Sequence, residues 1–220
     1  MNGLEITYKI LKDNGSKENK NHLIDMLYDV GAIMLKNVTL KSGLISPIYV
    51  NLRSLTGQSE LFAMMLAEFM TLLDGLEYDL ICGVPHGAVQ FSHFMSQFLG
   101  KNHIFPRDSA KNYGTKNQID GIYKSGQRVL LVEDVITSGQ SIVELVQTLR
   151  GHGLIVEDVL VFVDRDQKGS ENLQQHGLKL KSVFNLPEII EFLLSRGKIS
   201  QNHCKELEDW ISKNKTQVDV

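Results

Sequence analysis

The sequence predicts an α/β fold with a mostly parallel central sheet flanked by helices. Three short runs, residues 80–84, 129–132 and 156–163, are apolar at nearly every position. Strands with this pattern are buried on both faces, as in parallel sheets. Segments with helical spacing separate the runs, which is the alternation that such sheets require. Because ligands bind beyond the carboxyl ends of parallel strands, the residues that follow each run are candidate functional residues.

The other elements follow from local periodicity. A Ser-Gly turn inside a β-rich run predicts a hairpin over residues 39–51. Two further short strands are expected at 103–105 and 179–184. Apolar residues recur at helical spacing in the remaining elements. In chain order these predicted helices cover residues 23–34, 61–73, 88–99, 141–149, 186–194 and 201–211.

The chain is expected to form one main domain. Residues 1–21 are interpreted as an amino-terminal extension and a polar linker, because 13–21 are polar and rich in turn-forming residues. Residues 22–212 carry the regular pattern and form the predicted domain. Residues 213–220 are interpreted as a polar tail, where chain ends commonly fray.

Composition excludes several classes of protein. The 220 residues include 23 basic and 26 acidic side chains, for a net charge of −3, which disfavours a nucleic-acid-binding protein. No apolar run approaches the ~18 residues of a membrane span, and the first residues lack a secretory signal pattern. The two cysteines, Cys82 and Cys204, form no metal or redox motif. We therefore expect a cytoplasmic protein.

Residues 129–141 carry the strongest functional signal. An apolar run ends in Glu133 and Asp134, and the small residues of a turn, Thr137-Ser138-Gly139, lead into a predicted helix. Glycine allows a close backbone approach, and the first amides of a helix bind anions such as phosphate. Carboxylates accept hydrogen bonds from sugar hydroxyls. The segment therefore indicates a site for a ribose 5-phosphate.

Two alternatives bear on this segment. A strand, an acidic residue, a turn and a helix occur in many α/β proteins, where Ser141 would only cap the helix. The full string makes the functional interpretation stronger. The sequence has no Gly-x-x-x-x-Gly-Lys-Ser/Thr or Gly-x-Gly-x-x-Gly pattern, which disfavours nucleoside triphosphate and dinucleotide sites.

The string resembles the phosphoribosyl pyrophosphate (PRPP) signature of type I phosphoribosyltransferases. Three more segments, residues 40–51, 111–121 and 163–169, resemble orotate phosphoribosyltransferase, including the transferase half of uridine monophosphate synthase. The resemblance extends over residues 22–210. It implies the type I phosphoribosyltransferase fold, with a small hood and a flexible catalytic loop over residues 107–121.

The resemblance also implies an activity. Enzymes of this family transfer the ribose 5-phosphate of PRPP to orotate, giving orotidine 5′-monophosphate and pyrophosphate in pyrimidine biosynthesis. We expect Mg²⁺ as cofactor, bound through diphosphate and water and not by direct protein ligands. We also expect a homodimer whose loop reaches the neighbouring subunit's site. A separate protein is a possible source of the decarboxylase that follows in UMP synthesis.

Roles for individual residues follow from the same resemblance. Lys41 and Lys111 match catalytic lysines, and Asp134 joins them as the third expected catalytic residue. Expected substrate-binding residues, besides these, are Glu133, Thr137, Ser138, Gly139, Gln140, Ser141, Arg107, Tyr113, Tyr49 and Arg165. Arg165 matches the arginine that binds orotate, and its fork suits a carboxylate. The turn Pro85-His86-Gly87-Ala88 matches a diphosphate-binding turn that often contains a non-proline cis peptide bond.

One residue departs from the family pattern. Asp108 stands where a lysine usually follows the arginine, so an anion replaces a cation near the expected diphosphate. Two alternatives stay open beside orotate phosphoribosyltransferase. One is a phosphoribosyltransferase for another base, which the carboxylate-binding Arg165 disfavours. The other is a non-catalytic regulator that binds PRPP, and Asp108 is the only feature that favours it.

Overall fold

The computed structural model describes residues 17–39, 45–107 and 118–215. The strands are β1 (Ile33–Met34), β2 (Val38–Thr39), β3 (Ile45–Ser46), β4 (Tyr49–Val50), β5 (Leu80–Gly83), β6 (Asn102–Pro106), β7 (Ile119–Asp120), β8 (Arg128–Ile136), β9 (Ile155–Asp164) and β10 (Lys179–Asn185). The helices are α1 (Lys17–Asp29), α2 (Ser59–Thr71), α3 (Val89–Leu99), α4 (Gln140–Gly151), α5 (Gly169–Gln175), α6 (Leu186–Ser195) and α7 (Gln201–Asn214), with a 3₁₀ helix at Arg53–Gly57.

Six of the described strands form the central sheet, in the order β10-β9-β8-β5-β6-β7. All neighbours are parallel except β7, which runs antiparallel to β6. Helices connect the parallel strands, as such connections require. The predicted mostly parallel sheet with flanking helices is confirmed.

Both faces of the sheet are buried. Along β8, Leu130 and Val132 pack into one apolar cluster, whereas Val129 and Leu131 pack into a second cluster on the opposite face. Alternate side chains of a strand point to opposite faces, so a run without polar residues serves two cores at once. This explains why the central strands read as continuous apolar runs.

Strands β1 to β4 form two small antiparallel ladders, which we call the hood. β2 pairs with β3 and β1 pairs with β4. The predicted hairpin over 39–51 is therefore present in part. The predicted helix over 23–34 was wrong at its end, because Ile33 and Met34 lie in β1. Gly31, which has a φ of +74°, follows the end of α1 and breaks the helical pattern.

Three other boundaries differ from the predictions. The helix α1 begins at Lys17, so residues 17–21 are helical and not part of a linker. Strand β8 continues to Ile136, four residues past its predicted end, because pairing with β9 extends through Ile136. A short strand, β7, lies within the segment 107–121 that was expected to be entirely a loop.

The carboxyl-terminal helices have local start signals. The Asn185 side chain accepts a hydrogen bond from the Glu188 amide, and the Glu188 carboxylate accepts one from the Asn185 amide. A proline occupies the first turn of α6. Ser200 accepts a hydrogen bond from the amide of His203 at the start of α7. Caps of this kind contribute about 1 kcal/mol each. Helix α7 then packs against α6 through buried Cys204, Leu207 and Ile211.

Within the described residues, no helix has the length and apolarity needed to cross a membrane.

Candidate active site

Glu133 and Asp134 lie in the last part of β8, beyond the end of its neighbour β5. Strand β5 ends at Gly83, which pairs with Val132, whereas β9 stays paired with β8 past both acids. The two carboxylates therefore lie at the carboxyl edge of the sheet. Both are nearly buried, and the Asp134 amide donates a 2.9 Å hydrogen bond to Glu133 Oε1.

The buried position of Glu133 changes its pKa. Burial raises the pKa of Glu133 well above its ordinary value, and the hydrogen bond and charge of Asp134 raise it further. Desolvation penalises the ionised form of a carboxyl group, and a neighbouring anion adds to that penalty. Without ligand, Glu133 thus holds its proton to a higher pH than a solvated glutamate.

The turn after β5 closes over Asp134. The backbone contains a cis peptide bond between Pro85 and His86, as the resemblance implied for this turn. A β-carbon on Gly87 would overlap the Asp134 carboxylate, with Oδ1 only 2.8 Å away. Only glycine fits this position, so the Pro85–Ala88 turn and the acid form one surface.

The turn after β8 presents the start of a helix. Gly139 is the N-cap of α4, with a φ of +75°, and it has no side chain to accept hydrogen bonds from the first helical turn. Unoccupied amides at a helix start attract anions. A hydrogen bond from α5 stabilises the turn, because Asn172 Nδ2 donates to the Ser138 carbonyl at 2.7 Å. Gln140 and Ser141 are exposed in the first turn.

Arg53, at the start of the 3₁₀ helix, faces the acidic pair from the hood side. Its Nε lies 3.8 Å from Asp134 Oδ2. Its positive charge also lowers the pKa of Glu133, although less than burial raises it. The arginine side chain is 67% exposed, so it stands at the mouth of the site.

Arg165 follows β9 directly and is buried. Its backbone amide donates to the Ile136 carbonyl at 3.1 Å, which places it beside the end of β8. Its Nη2 donates to Ser46 Oγ and its Nε donates to Gln167 Oε1, both at 2.9 Å. Ser46 is in the hood, so this arginine connects the hood to the sheet.

Arg107 lies at the stem of the 108–117 segment. Its Nε donates 2.6 Å to Asp120, a second bond joins Nη2 to the same carboxylate, and its amide donates to the Gln118 carbonyl. The arginine thus connects the end of β6 to β7 in this structure.

Comparison with known proteins agrees with this geometry. Residues 59–191 match the phosphoribosyl transferase domain. The chain is 37% identical over 191 residues to an orotate phosphoribosyltransferase from Pyrobaculum aerophilum, covering 86% of this chain and 98% of that protein. The chain belongs to the orotate phosphoribosyltransferase family.

Other relatives of the family give the same result. A uridine 5′-monophosphate synthase from Bos taurus is 34% identical over 87% of this chain, which spans 40% of that longer protein. Among solved structures, Leishmania donovani UMP synthase matches 88% of this chain and 42% of its own, with TM-score 0.80 and 28% identity. Orotate phosphoribosyltransferase from Aeropyrum pernix matches 78% of this chain and 98% of its own, with TM-score 0.69 and 28% identity.

The structure brings together most of the predicted site residues for an orotate phosphoribosyltransferase. Glu133, Asp134 and the turn of Thr137, Ser138 and Gly139 share the carboxyl edge of the sheet with Arg165, and Tyr49 lies in β4 of the hood. Lys41, Lys111 and Tyr113 lie outside the described residues, as does Asp108. The roles of all the predicted site residues, inside and outside the described ranges, stay predictions.

Sequence reasoning missed three residues of this family member's site, and one contact. Ser46 comes from the hood, Arg53 comes from the 3₁₀ helix that follows it, and Gln167 orients Arg165. The turn that contains Gly87 was predicted, but the contact of Gly87 with Asp134 was not. Gln167 belongs to the Asp-Arg-Asp-Gln-Lys-Gly segment, and Arg53 comes two residues after the 40–51 segment. Their positions alone indicated proximity to the site, but nothing local indicated their contacts.

Proposed function

We propose that this chain transfers the ribose 5-phosphate of PRPP to N1 of orotate. In this reaction the bond from N1 to C1 of the ribose forms, the bond from C1 to the diphosphate oxygen breaks, and pyrophosphate leaves. The products are orotidine 5′-monophosphate and pyrophosphate, in pyrimidine biosynthesis. The family to which the chain belongs and the arrangement of its sheet edge support this proposal.

One element offers groups for both ends of the ribose 5-phosphate. The amides at the start of α4, with Thr137, Ser138 and Gly139, suit the phosphate. Asp134 suits the ribose hydroxyls as an acceptor, and the neighbouring Glu133 is a second acceptor. As positive charge develops on the ribose, an anionic Asp134 favours the transition state. The turn at Pro85–Ala88 is proposed to face the diphosphate.

The observation that carries the proposal is the hydrogen bond from the Arg165 amide to the Ile136 carbonyl. Because of this hydrogen bond, Arg165 lies next to the turn of residues 137–139 at the same sheet edge, which supports carboxylate binding by Arg165 beside phosphate binding by the turn. Orotate has a carboxylate, which an arginine fork can bind through two hydrogen bonds. We propose that Arg165 binds this group, that Thr137 donates to the same ligand, and that Tyr49 packs against the orotate ring.

Residues of the 40–44 and 108–117 segments complete the proposal. Lys41 and Lys111 are proposed to neutralise the diphosphate as it leaves, and Tyr113 to contact the substrate from the loop. For Arg107 to reach the diphosphate, it must release Asp120, which it contacts in this structure.

The donor set of the site fits a magnesium ion carried by the substrate. Among the described residues, no group of three His, Cys, Asp or Glu side chains could hold a metal ion. Mg²⁺ commonly keeps several waters and binds mainly to phosphate oxygens and one or two carboxylates. Asp134 would hold it through water, beside the diphosphate. When bound, the ion supplies positive charge to the leaving diphosphate.

We also propose a cytoplasmic homodimer whose 108–117 segments are exchanged between sites. Phe94 on α3 and Phe105 on β6 are 46% and 39% exposed near the stem of that segment, as partner-covered side chains would be in one protomer. Both cysteines are free, in keeping with a reducing compartment. Sedimentation of the purified protein tests the dimer, which a monomer at all concentrations would contradict. We also propose that a separate protein supplies the decarboxylase for the next step of UMP synthesis.

The activity is tested by following orotate absorbance. We expect loss of the orotate band only when PRPP and Mg²⁺ are both present. When adenine or hypoxanthine replaces orotate as the base, we expect no turnover. No turnover at saturating substrates, with PRPP binding intact by calorimetry, would instead indicate a non-catalytic regulator.

Arg165→Gln is expected to raise the KM for orotate about 10- to 100-fold, because a charge-assisted hydrogen bond is lost. Turnover of a purine would indicate a different base.

A further inference from the structure

The guanidinium of Arg165 is held at two of its nitrogens and on one face. Nη2 donates to Ser46 and Nε donates to Gln167, and its central carbon lies 5.7 Å from the ring centroid of Trp210. The arginine is only 4% exposed. A cation that is removed from water interacts more strongly with an indole face than one on the surface. Trp210 therefore bears directly on the orientation of this side chain.

Trp210 also binds the hood. Its indole Nε1–H donates a 3.0 Å hydrogen bond to the carbonyl of Ile45 in β3. The next residue, Ser46, accepts the hydrogen bond from Arg165. The contacts therefore form a closed ring, from Trp210 to Ile45, along the chain to Ser46, on to Arg165 and back to the indole.

The end of α7 reaches the same turn a second time. Lys215, which follows the helix, pairs with Asp166 at 2.5 Å, and Asp166 is the residue after Arg165. Asn214 Nδ2 donates 2.8 Å to the Trp210 carbonyl and secures the last turn. Leu207 and Ile211, on neighbouring positions of the helix surface, are buried and anchor α7. Helix α7 is thus a rigid support for Trp210.

We propose that Trp210 is a positioning residue for orotate. Its ring face and its N–H fix the plane of the Arg165 guanidinium and the strand β3, so that the carboxylate of orotate meets a preorganised fork. This inference rests on the proposed function, since it assigns orotate to Arg165. Trp210 acts through Arg165 and does not itself contact the reacting atoms.

The kinetic test compares two substitutions at this position. Trp210→Leu is expected to raise the KM for orotate about 10-fold, the equivalent of a lost desolvated cation–π contact, with the KM for PRPP changed less than about 2-fold. Trp210→Phe keeps an aromatic face and should recover most of the orotate affinity. Glu206→Ala, an exposed change on the same helix, should alter neither KM. Equal changes in both KM values for Trp210→Leu, or no rescue by phenylalanine, would overturn the proposal.

Trp210 is the only tryptophan of the chain, so its fluorescence reports on this contact directly. Titration with orotate should change the emission saturably, after correction for orotate absorbance with N-acetyltryptophanamide. The change should vanish in Arg165→Gln. An orotate-dependent change of the same size in Arg165→Gln would overturn the proposal.

Different results would disprove the proposed function and the positioning role of Trp210. Wild-type protein that neither binds nor consumes orotate would disprove the proposed function, and the positioning role with it. Wild-type protein that turns over orotate while Trp210→Leu keeps its orotate KM would disprove the positioning role alone. Thermal unfolding and PRPP binding by calorimetry establish whether Trp210→Leu is folded. If it is not, Trp210→Phe and the fluorescence titration decide.

Discussion

Gly87, in the turn after β5, contacts Asp134, in the last part of the adjacent parallel strand β8. The backbone of Gly87 approaches the carboxylate so closely that a single methyl group would overlap it. The glycine thereby joins the Pro85–Ala88 turn to the acid that is proposed to hold ribose.

Gly87→Ala is expected to weaken PRPP binding by at least about 10-fold, because either the turn or Asp134 must move. Calorimetry with PRPP measures the effect. Gly151→Ala is the matched control, since a β-carbon there meets nothing within 4 Å and alanine favours the helix. Unchanged PRPP affinity in Gly87→Ala would show that the turn can relax without cost.

We expect the loss of Arg53 to change the KM for PRPP more than it changes the stability of the fold. The pair with Asp134 is long and its arginine is exposed, so Arg53→Met should change the free energy of unfolding by less than about 1 kcal/mol. Loss of a cation beside the acidic pair should raise the KM for PRPP about 3- to 10-fold at low salt, and less at high salt. Steady-state kinetics at two salt concentrations measure this.

Arg196→Met removes a similarly exposed arginine, paired with Asp25 at 3.2 Å, and should leave the KM for PRPP unchanged. If both arginine variants altered PRPP binding alike, the effect of Arg53 would reflect general charge and not its place at the site mouth.

Glu133 makes the stability of the ligand-free protein depend on pH. Its pKa is raised in the folded protein, mainly by burial, from an ordinary value of 4.5. Above that value the unfolded chain ionises first, so the free energy of unfolding falls as the pH rises toward the folded pKa. Glu133→Gln removes this loss. The Tm of the variant minus the Tm of wild type should therefore be larger at about pH 8 than at about pH 5. Thermal unfolding without ligand measures this difference.

A Tm difference between Glu133→Gln and wild type that does not change with pH would contradict the raised pKa. Because Gln cannot ionise, the variant also tests whether PRPP needs the second carboxylate. We expect weaker PRPP binding in Glu133→Gln, and a smaller loss than in Asp134→Asn.

His103 is expected to destabilise the protein in acid. Burial, and then the charge of His93, lower the pKa of His103 to about 4, and its Nε2 lies 2.8 Å from Ser92 Oγ. Below pH 6.5 His103 becomes protonated in the unfolded chain but stays neutral in the folded protein. The free energy of unfolding therefore decreases as the pH is lowered from about 6.5 to about 4. An NMR titration of the His103 ring should show a midpoint near 4.

His93→Gln should raise that midpoint only in part, because burial is the larger cause. His103→Gln should lose less stability than wild type over the same acid range. A midpoint of His103 near 6.5 in wild-type protein would show that water reaches the ring.

Much of the fold was predictable because apolar periodicity records local structure. The runs at 80–84, 129–132 and 156–163 became β5, β8 and β9, and residues 137–139 became the predicted turn before α4. The errors lay where neighbours decided the outcome. Pairing with β9 lengthened β8 past both acids, and pairing with β4 turned Ile33 and Met34 from helix into strand.

The amino-acid sequence by itself determined the class of sheet, the two acids and the small-residue turn at the end of β8, and an arginine directly after β9. Each of these depends on residues that are neighbours along the chain. Only the tertiary structure decided that Ser46 and Trp210 hold Arg165, and that Gly87 closes over Asp134. Strand order and helix packing bring these partners together across as many as 119 residues, as between Ser46 and Arg165, and no local pattern encodes that distance.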